Sequence, residues 1–418
     1  MKATLKTHIA RLPYAESLII PIVRYARKVL YGFALLPVVL LLKTVSLFVK
    51  IRIGFLCIGR IGHLALDLDI YNSYRYRNQN KYTGTIDFFF TQNRIANKYL
   101  LDMWKRNNGY HIINSKWLSG WPLVDIIKRN KIFNELYIDL KRIELDGLTV
   151  GMPSFVHIDS ESLQRCKEKC CEMGISNQFV CIHNRDSQFL NKTLQVGEDP
   201  NYHDYRDSSI CNYFDASNEL SKKGYTVVRV GRIAKDRVLS PSIIDYAFKP
   251  DAQSDEMDIY LLSKAFFTIS TNTGITHIPA IFRKKQLCVN FLPFLPTTLC
   301  FITPESIIIP KKLWHTKWKR FLNFSELMSF ETTVHNTECP YRANYLEPIE
   351  NTSEEIMDAA IEIDDRMNGR GNEYDDFEEL QELFWNIAPD TKGWRTVIEK
   401  FKFRIGSKFL YNNRDIIK

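Results

Sequence analysis

Residues Phe266–Arg283 read FFTISTNTGITHIPAIFR, and the fold expected of the whole chain follows from them. Phe266 to Ser270 is short, apolar and β-branched, the pattern of a buried strand. Thr271 to Gly274 is small and polar, as a tight turn requires. Ile275 to Arg283 then places apolar residues at helical spacing. A strand, a glycine-containing turn and a helix leave backbone N–H groups unpaired at the helix start. An anion such as a diphosphate would be received there.

The same pattern recurs upstream. Ile51 to Ile58 is an apolar run closed by Gly59-Arg60-Ile61-Gly62-His63, with helical spacing after it through Leu64, Leu66, Leu68 and Tyr71. A strand at Thr85–Phe90, a helix at Ala96–Lys105, a strand at Tyr110–Asn114 and a helix at Leu123–Lys128 follow. Such alternation implies a parallel sheet covered on both faces. Downstream, a helix Glu161–Met173 is stopped by Gly174, and a strand Phe179–His183 opens onto His183-Asn184-Arg185-Asp186. A helix capped by Ser208 or Ser209 runs to Lys223, and the strand Thr226–Val230 ends in Gly231-Arg232. A helix Ile259–Lys264 precedes the opening stretch, and the strand Gln286–Phe291 follows it. In a parallel sheet, strand ends of this polar kind share one edge, where ligands bind.

The expected organisation is a basic, apolar, membrane-associating segment at residues 1–50 and an α/β domain at 51–158, with Leu145–His157 as connector. A second α/β domain occupies 159–340. A helical extension at 341–418 packs back on the domains, and in it Thr352 and Glu355 form a capping box.

A chain of 418 residues with a net charge of +8 has room for two domains, but its charge is uneven. Lys and Arg crowd the first sixty residues and Glu347–Glu382 is acidic. That asymmetry, with no zinc-finger spacing and no aromatic RNA-binding signature, argues against a nucleic-acid partner. The nine cysteines have no disulfide framework, and Cys166, Cys170 and Cys171 on one helix suit neither zinc nor a redox pair. They read as reduced thiols of a cytosolic protein. Val29–Val49, VLYGFALLPVVLLLKTVSLFV, is the one membrane-grade stretch, broken by Pro37 and Lys43 and flanked by Arg24, Arg27, Lys28, Lys50 and Arg52. No small-residue cleavage site follows it, which argues against a signal peptide. It reads as a monotopic anchor on anionic lipid, as a span, or as a buried core helix. The next strand begins almost at once, leaving little linker for a span.

At the strand ends, the planar fork of Arg185 suits a pair of phosphate oxygens, with His183 beside it and Asp186 to hold the guanidinium or a nearby hydroxyl. The alternative is a solvated loop with a local salt bridge. Arg206, Arg229 and Arg232 are candidates for the same anion. Arg229 interrupts the apolar run Val227, Val228, Val230, so it needs an anionic partner: the ligand, Asp186 or Asp207. His63, with Asp67 one turn on, is a candidate general base for a hydroxyl nucleophile, or else a helix-start histidine bonded to backbone. Asn272, Thr273 and Gly274 form the anion turn. His277, just beyond, either touches phosphate or ribose or fills the sheet–helix interface. Asp67-Leu68-Asp69 has the spacing of a metal-holding pair, yet on a helix these side chains point apart, so no metal is expected. Lys311–Arg320, with Trp314 and Trp318, reads as a solvated basic surface or a membrane contact.

These motifs carry a family resemblance. Ser270-Thr271-Asn272-Thr273-Gly274-Ile275-Thr276-His277-Ile278-Pro279-Ala280 resembles the Asp-Ser-Gly-Pro-x-His-x-Ala turn that cradles the donor diphosphate in GT-B glycosyltransferases such as the heptosyltransferases. Gly274 and His277 match; Thr273 stands for the Ser and Asn272 for the Asp. His183-Asn184-Arg185-Asp186 is similar to the His-x-Arg motif of fucosyltransferase-like enzymes, whose Arg binds nucleotide phosphate. Gly59-Arg60-Ile61-Gly62-His63-Leu64 resembles the first-domain Gly-x-x-Gly-His loop of other GT-B enzymes. The order HNRDS, HDYRD, VVRVGR, STNTG, ENTSEEI and RIGSKFL, over roughly residues 51–411, resembles a glycosyltransferase family of bacterial surface-polysaccharide loci (capsule, O-antigen). The resemblance implies a GT-B fold, two Rossmann-like domains facing across a cleft, the donor in the second and the acceptor in the first. It implies a nucleotide-sugar donor, a glycan or lipid-linked acceptor, no metal or other cofactor, and His63 as base. It places the chain in the bacterial cytoplasm, on the inner face of the cytoplasmic membrane. A polysaccharide pyruvyl transferase on a GT-B-like scaffold and a non-catalytic membrane-bound scaffold are the competing readings.

Overall fold

The structure is a computed structural model and describes residues 34–91, 94–106, 109–114, 121–140, 146–186, 188, 204–333 and 340–418. The chain divides into two compact units. The first draws on Met1–Gly59, Asn78–Ala96 and Lys105–Leu140, and the second on Arg60–Arg77, Asn97–Trp104 and Lys141–Lys418.

In the first unit, β1 (Lys50–Leu56), β2 (Thr85–Thr91) and β3 (His111–Ile113) form a parallel sheet in that order. Arg52 on β1 grips the buried Asp87 of β2 with two hydrogen bonds, Nε–Oδ1 2.8 Å and Nη2–Oδ2 2.9 Å. Ile53, Phe90, Val124, Ile127 and Leu136 make the core. Residues 34–45 are helical, and only one stripe of them is covered: Val39 is in the core, with Leu35 and Leu42 against it. Leu36, Leu40 and Leu41 are exposed, as are Leu47 and Phe48 just after, the last at 85%. No described helix is long and apolar enough to cross a membrane. The basic flank Arg24, Arg27 and Lys28, and the start of Val29–Val49, lie outside the described residues.

The second unit is built on β4 (Phe179–His183), β5 (Thr226–Arg229), β6 (Ile243–Asp245), β7 (Thr268–Ser270), β8 (Gln286–Phe291) and β9 (Ile307–Pro310). A small antiparallel sheet of β10 (Lys312–His315), β11 (Arg320–Phe321) and β12 (Leu346–Ile349) follows, and β13 (Arg404–Ile405) returns to the main sheet. The main sheet runs β13-β9-β8-β7-β4-β5-β6, with every neighbouring pair parallel. Its central strands are buried on both faces, which is why Phe179–Ile182 and Gln286–Phe291 read as continuous rather than alternating runs. Chain order runs outward in one direction from β4 and in the other from β7. The strand order therefore reverses between β4 and β7, the topological switch point of a doubly wound sheet.

The extension completes this unit. The helix Ser353–Met367 opens on the expected capping box: Thr352 Oγ1 accepts from Glu355 N (3.2 Å) and Glu355 Oε2 from Thr352 N (3.1 Å). Ile356, Ala359, Ala360 and Ile363 of this helix join the core of the seven-stranded sheet, and β13 pairs with β9. The helix Ile61–Arg77, expected with the first domain, is part of the second unit. All residues from Leu64 to Ser73 are buried, so this helix has no amphipathic stripe to reveal its neighbours. Its Asp69 takes both arms of Arg283, Oδ2–Nη1 2.8 Å and Oδ1–Nη2 2.9 Å. The same guanidinium donates to the carbonyls of Met152 (2.9 Å) and Pro153 (3.0 Å).

Candidate functional site

The switch point locates the site. β4 and β7 are neighbours, His183 lies opposite Ser270, and Thr271 N–H donates to His183 O (3.4 Å). The polar tail of β4 and the turn after β7 therefore leave the sheet side by side. One hydroxyl organises the turn: Thr276 Oγ1 donates to Thr271 O (2.7 Å), accepts from Thr273 N–H (3.3 Å) and lies 3.2 Å from Thr273 Oγ1. Asn272 Nδ2 ties the turn to Leu292 O (3.2 Å). A 3-10 turn, Gly274–Thr276, leads into a helix of only five residues, His277–Ile281, because Arg283 turns left-handed at φ 60°. This is shorter than the helix expected over Ile275–Arg283. Among the described residues, no acceptor takes a hydrogen bond from the N–H groups of Gly274 and Ile275.

The second glycine turn of the sequence packs directly on this one. A Cβ on Gly274 would lie 3.0 Å from Ile61 Cγ2 and 3.1 Å from Gly62 N. A Cβ on Gly62 would lie 2.7 Å from His277 Nδ1. Only two glycines permit that approach. It sets the start of helix Ile61–Arg77, and with it His63, beside the anion turn. His63 Nδ1 lies 3.5 Å from Asp67 Oδ2, the one-turn spacing expected of an oriented imidazole. His277 fills the junction with its ring edge-on to Phe301 at 5.5 Å. Its Nδ1 is buried without a well-formed hydrogen bond. Burial, with the nearby charges of His63 and Arg206, pushes its pKa down to about 3, so this imidazole is neutral.

On the β4 side, His183 Nδ1 meets Val230 O at 3.1 Å. A carbonyl only accepts, so Nδ1 carries the proton and Nε2 keeps its lone pair. Burial lowers this histidine to a pKa of about 4 against the raising effect of that bond. Arg185 is paired through Nη1 with Asp207 Oδ1. Burial pulls the guanidinium below its usual range, and the same burial raises Asp207 to about 6 in spite of Arg185. Arg206 turns Nε and Nη2 onto Tyr205 Oη (3.2 and 3.1 Å), and its charge is felt by both Arg185 and His277.

Three expected roles are corrected. Asp186 accepts from the backbone N–H groups of Gln188 (3.0 Å) and Lys235 (2.9 Å), tying the loop after β5 to the end of β4, while Asp207 takes Arg185. The partner of buried Arg229 is neither Asp186 nor Asp207 but Asp245 (3.6 Å), because β5 and β6 place those two residues opposite each other. Arg229 also donates to Asp236 O (2.6 Å) and Asn184 Oδ1 (3.3 Å). Arg232 is held by Asp258 (2.6 Å) and Asp255 (2.5 Å) in the first turn of helix Asp255–Lys264. The structure thus gathers His63, His183, Arg185 (with its partner Asp207), Arg206, Asn272, Thr273, Gly274 and His277 around one strand edge, and ties Asp186, Arg229 and Arg232 to other protein groups.

Lys311 belongs to the same edge, although the sequence placed it at the head of a solvated basic run. It is 3% exposed, donates to Asp207 O (2.6 Å) and lies near Arg185 and Glu350, and burial lowers its pKa. The signal was available: the apolar run Ile307–Pro310 ends at Lys311, as Phe179–Ile182 runs out toward Arg185. Asp67 and Asp69, two positions apart on the helix, face different partners, His63 and Arg283.

The class defined so far is an α/β protein with a doubly wound parallel sheet and a glycine turn at its switch point. No family model and no curated protein matches the sequence. Among solved structures, the chain is similar to a glycosyl transferase family 9 protein from Veillonella parvula (TM-score 0.41, 9% identity, 75% of this chain and 96% of that one). It is similar to ADP-heptose LPS heptosyltransferase II from E. coli (TM-score 0.36, 11% identity, 62% and 90% of the chains). It is also similar to the iron-containing dodecameric glycosyltransferase TibC from enterotoxigenic E. coli (TM-score 0.33, 12% identity, 57% and 58%).

Proposed function

We propose that this chain is a metal-independent GT-B glycosyltransferase that moves a sugar from a nucleotide-sugar donor to a glycan or lipid-linked acceptor in surface-polysaccharide assembly. The observation that carries the reading is the convergence of two glycine turns, Gly62 and Gly274, with Arg185 and Arg206 at the switch point. A departing diphosphate needs donors already aimed at the charge that develops on it, and amides and guanidinium groups fixed by protein contacts supply them. In this reading the N–H groups of Gly274 and Ile275, with Arg185 and Arg206, receive the diphosphate. His63 removes the proton of the acceptor hydroxyl, and Asp67 orients the imidazole. Asp67 and Asp69 are already engaged by His63 and Arg283, which fits a reaction that asks no metal of them. The exposed stripe Leu36, Leu40, Leu41, Leu47 and Phe48 supports attachment to the inner face of the cytoplasmic membrane.

A thermal-shift screen against UDP, GDP, CDP, CMP, ADP and their sugars tests the donor role. One nucleotide diphosphate should raise Tm, and Arg185→Ala should remove the shift. A shift with phosphoenolpyruvate and none with nucleotides would identify a pyruvyl transferase instead, and no shift with either would favour a non-catalytic scaffold. His63→Ala should lower kcat by about 10²–10⁴-fold, the usual range for a general base, while leaving the donor-induced Tm shift intact.

A further inference from the structure

The small antiparallel sheet carries a feature that the proposed reaction does not use. A groove of about 500 Å³ opens beside β10 and β12. Its aromatic lining is His315, Trp318, Phe330 and Tyr345, and its polar lining is Glu326, Ser329 and Asn344. His315 and Trp318 are stacked face to face, with centroids 3.8 Å apart and planes 9° apart. Trp318 is nevertheless 59% exposed and Tyr345 49%. Two large aromatics at a groove mouth are an unfavourable way to meet water, and they are held there by design of the hairpin: Lys317 Nζ sits 3.4 Å from the Tyr345 ring centroid and Arg320 lies over Trp318 at 5.0 Å.

The polar groups are arranged for hydroxyls. Glu326 holds Arg320 with two hydrogen bonds (2.6 and 2.7 Å), a planar pair that presents further donor and acceptor edges. His315 Nδ1 accepts from Trp318 N–H (3.2 Å), so Nε2 is the nitrogen free to carry the proton. The surrounding charge is positive. Lys317, Lys319 and Arg342 are exposed neighbours of lining residues in sequence, against one exposed acidic neighbour, Glu347, while Glu326 pairs with Arg320.

We propose that this groove binds an anionic oligosaccharide, a uronate-bearing or similarly acidic glycan. A pyranose presents an apolar C–H face that packs on an aromatic ring and a hydroxyl edge that pairs with carboxylate, guanidinium and amide. The basic surround adds the charge selectivity. A bilayer is the poorer occupant: it is flat where the groove is concave, and it would dehydrate Glu326 and Asn344 without giving them partners. The choice of a glycan rests on the proposed glycosyl-transfer reading, as a site that holds a growing acidic chain away from the reaction.

Calorimetric titration of the full chain with hexagalacturonate, without donor, tests the proposal separately from turnover. Hexagalacturonate should bind, maltohexaose should bind at least tenfold more weakly, and Trp318→Ala should weaken hexagalacturonate at least tenfold with Tm unchanged. Tyr345→Ala and Lys317→Ala serve as second variants, since both side chains are exposed. Absence of hexagalacturonate binding, equal binding of maltohexaose, equal binding by all three variants, or stronger binding of phosphatidylglycerol vesicles or a U-rich hexanucleotide would each overturn it. If hexagalacturonate binds as described while every nucleotide-sugar fails to be turned over, the glycan site stands and the transferase reading falls; the converse result separates them the other way.

Discussion

Arg185 and Asp207 form the pair on which the site turns. A carboxylate already on the guanidinium keeps it in place, and in the proposed donor role it would also compete with an incoming phosphate. Removing Arg185 would cost the charge-assisted hydrogen bonds to the ligand, about 1.5–3 kcal/mol, or roughly ten- to a hundredfold in affinity. Arg185→Lys keeps the charge and loses the fork, so it should fall between wild type and Arg185→Ala. Asp207 adds a pH signature. Its folded pKa, about 6, lies above its unfolded value, so the folded state binds the proton more tightly. The stabilising contribution is complete below about pH 4 and is lost as pH rises through about 6. Asp207→Asn should therefore flatten the decline in Tm across that window. It should also weaken the competition for Arg185 and strengthen nucleoside diphosphate binding at pH 7.5. A Tm profile unchanged in slope between pH 4 and 6 would mean that Asp207 ionises as an ordinary surface carboxylate.

Elements explain why some of this was legible and some was not. The ends of β4, β5 and β7 could be read because each is an apolar run that stops at a polar or glycine residue, and a parallel sheet brings such stops to one edge. β6 could not: Ile243–Asp245 is three residues long, and its importance lies in placing Asp245 opposite Arg229. Lys311 was hidden by the basic residues that follow it, which outweighed the four apolar residues before it. The packing of the two glycine turns was beyond any local pattern, since Gly62 and Gly274 are far apart in sequence. It yields the sharpest element-scale test. Ala at 62 would put a methyl 2.7 Å from His277 Nδ1, and the His277 ring is backed by Phe301. Overpacking of this kind costs about 1–3 kcal/mol. At about 2–4 °C per kcal/mol for a unit of some two hundred residues, a somewhat larger unit should still show a drop of several degrees in differential scanning calorimetry. Nucleotide binding should weaken in the same variant, because helix Ile61–Arg77 and the anion turn move apart together. A Gly62→Ala protein with wild-type Tm and wild-type nucleotide affinity would show that the turns are not in contact.

At the scale of the molecule, sequence order and structural membership part company. Helix Ile61–Arg77 precedes most of the first unit's strands in the chain, yet belongs to the second unit. A helix buried from Leu64 to Ser73 needs a fixed attachment, and Asp69 with Arg283 provides one. Burial raises the pKa of Asp69 even though Arg283 opposes it, so the carboxylate is costly to ionise and depends on its partner. Truncating one member of a buried pair leaves the other uncompensated, at about 3–5 kcal/mol, whereas replacing both by apolar residues of similar size is often close to neutral. Arg283→Met alone should therefore destabilise the second unit strongly and expose the Asp69 carboxyl to protonation, making Tm rise as pH falls from 7 toward 5. The double variant Arg283→Met with Asp69→Leu should recover much of the lost stability and lose that pH dependence. It should still lack the bonds from Arg283 to Met152 and Pro153, so recovery should stop short of wild type. Nucleotide binding, reported by the same calorimeter, should follow the single variant down and the double variant back up, since the pair holds the helix that carries His63 and Gly62. Additive losses in the double variant would mean that Asp69 and Arg283 act independently, and that the helix is secured by packing alone.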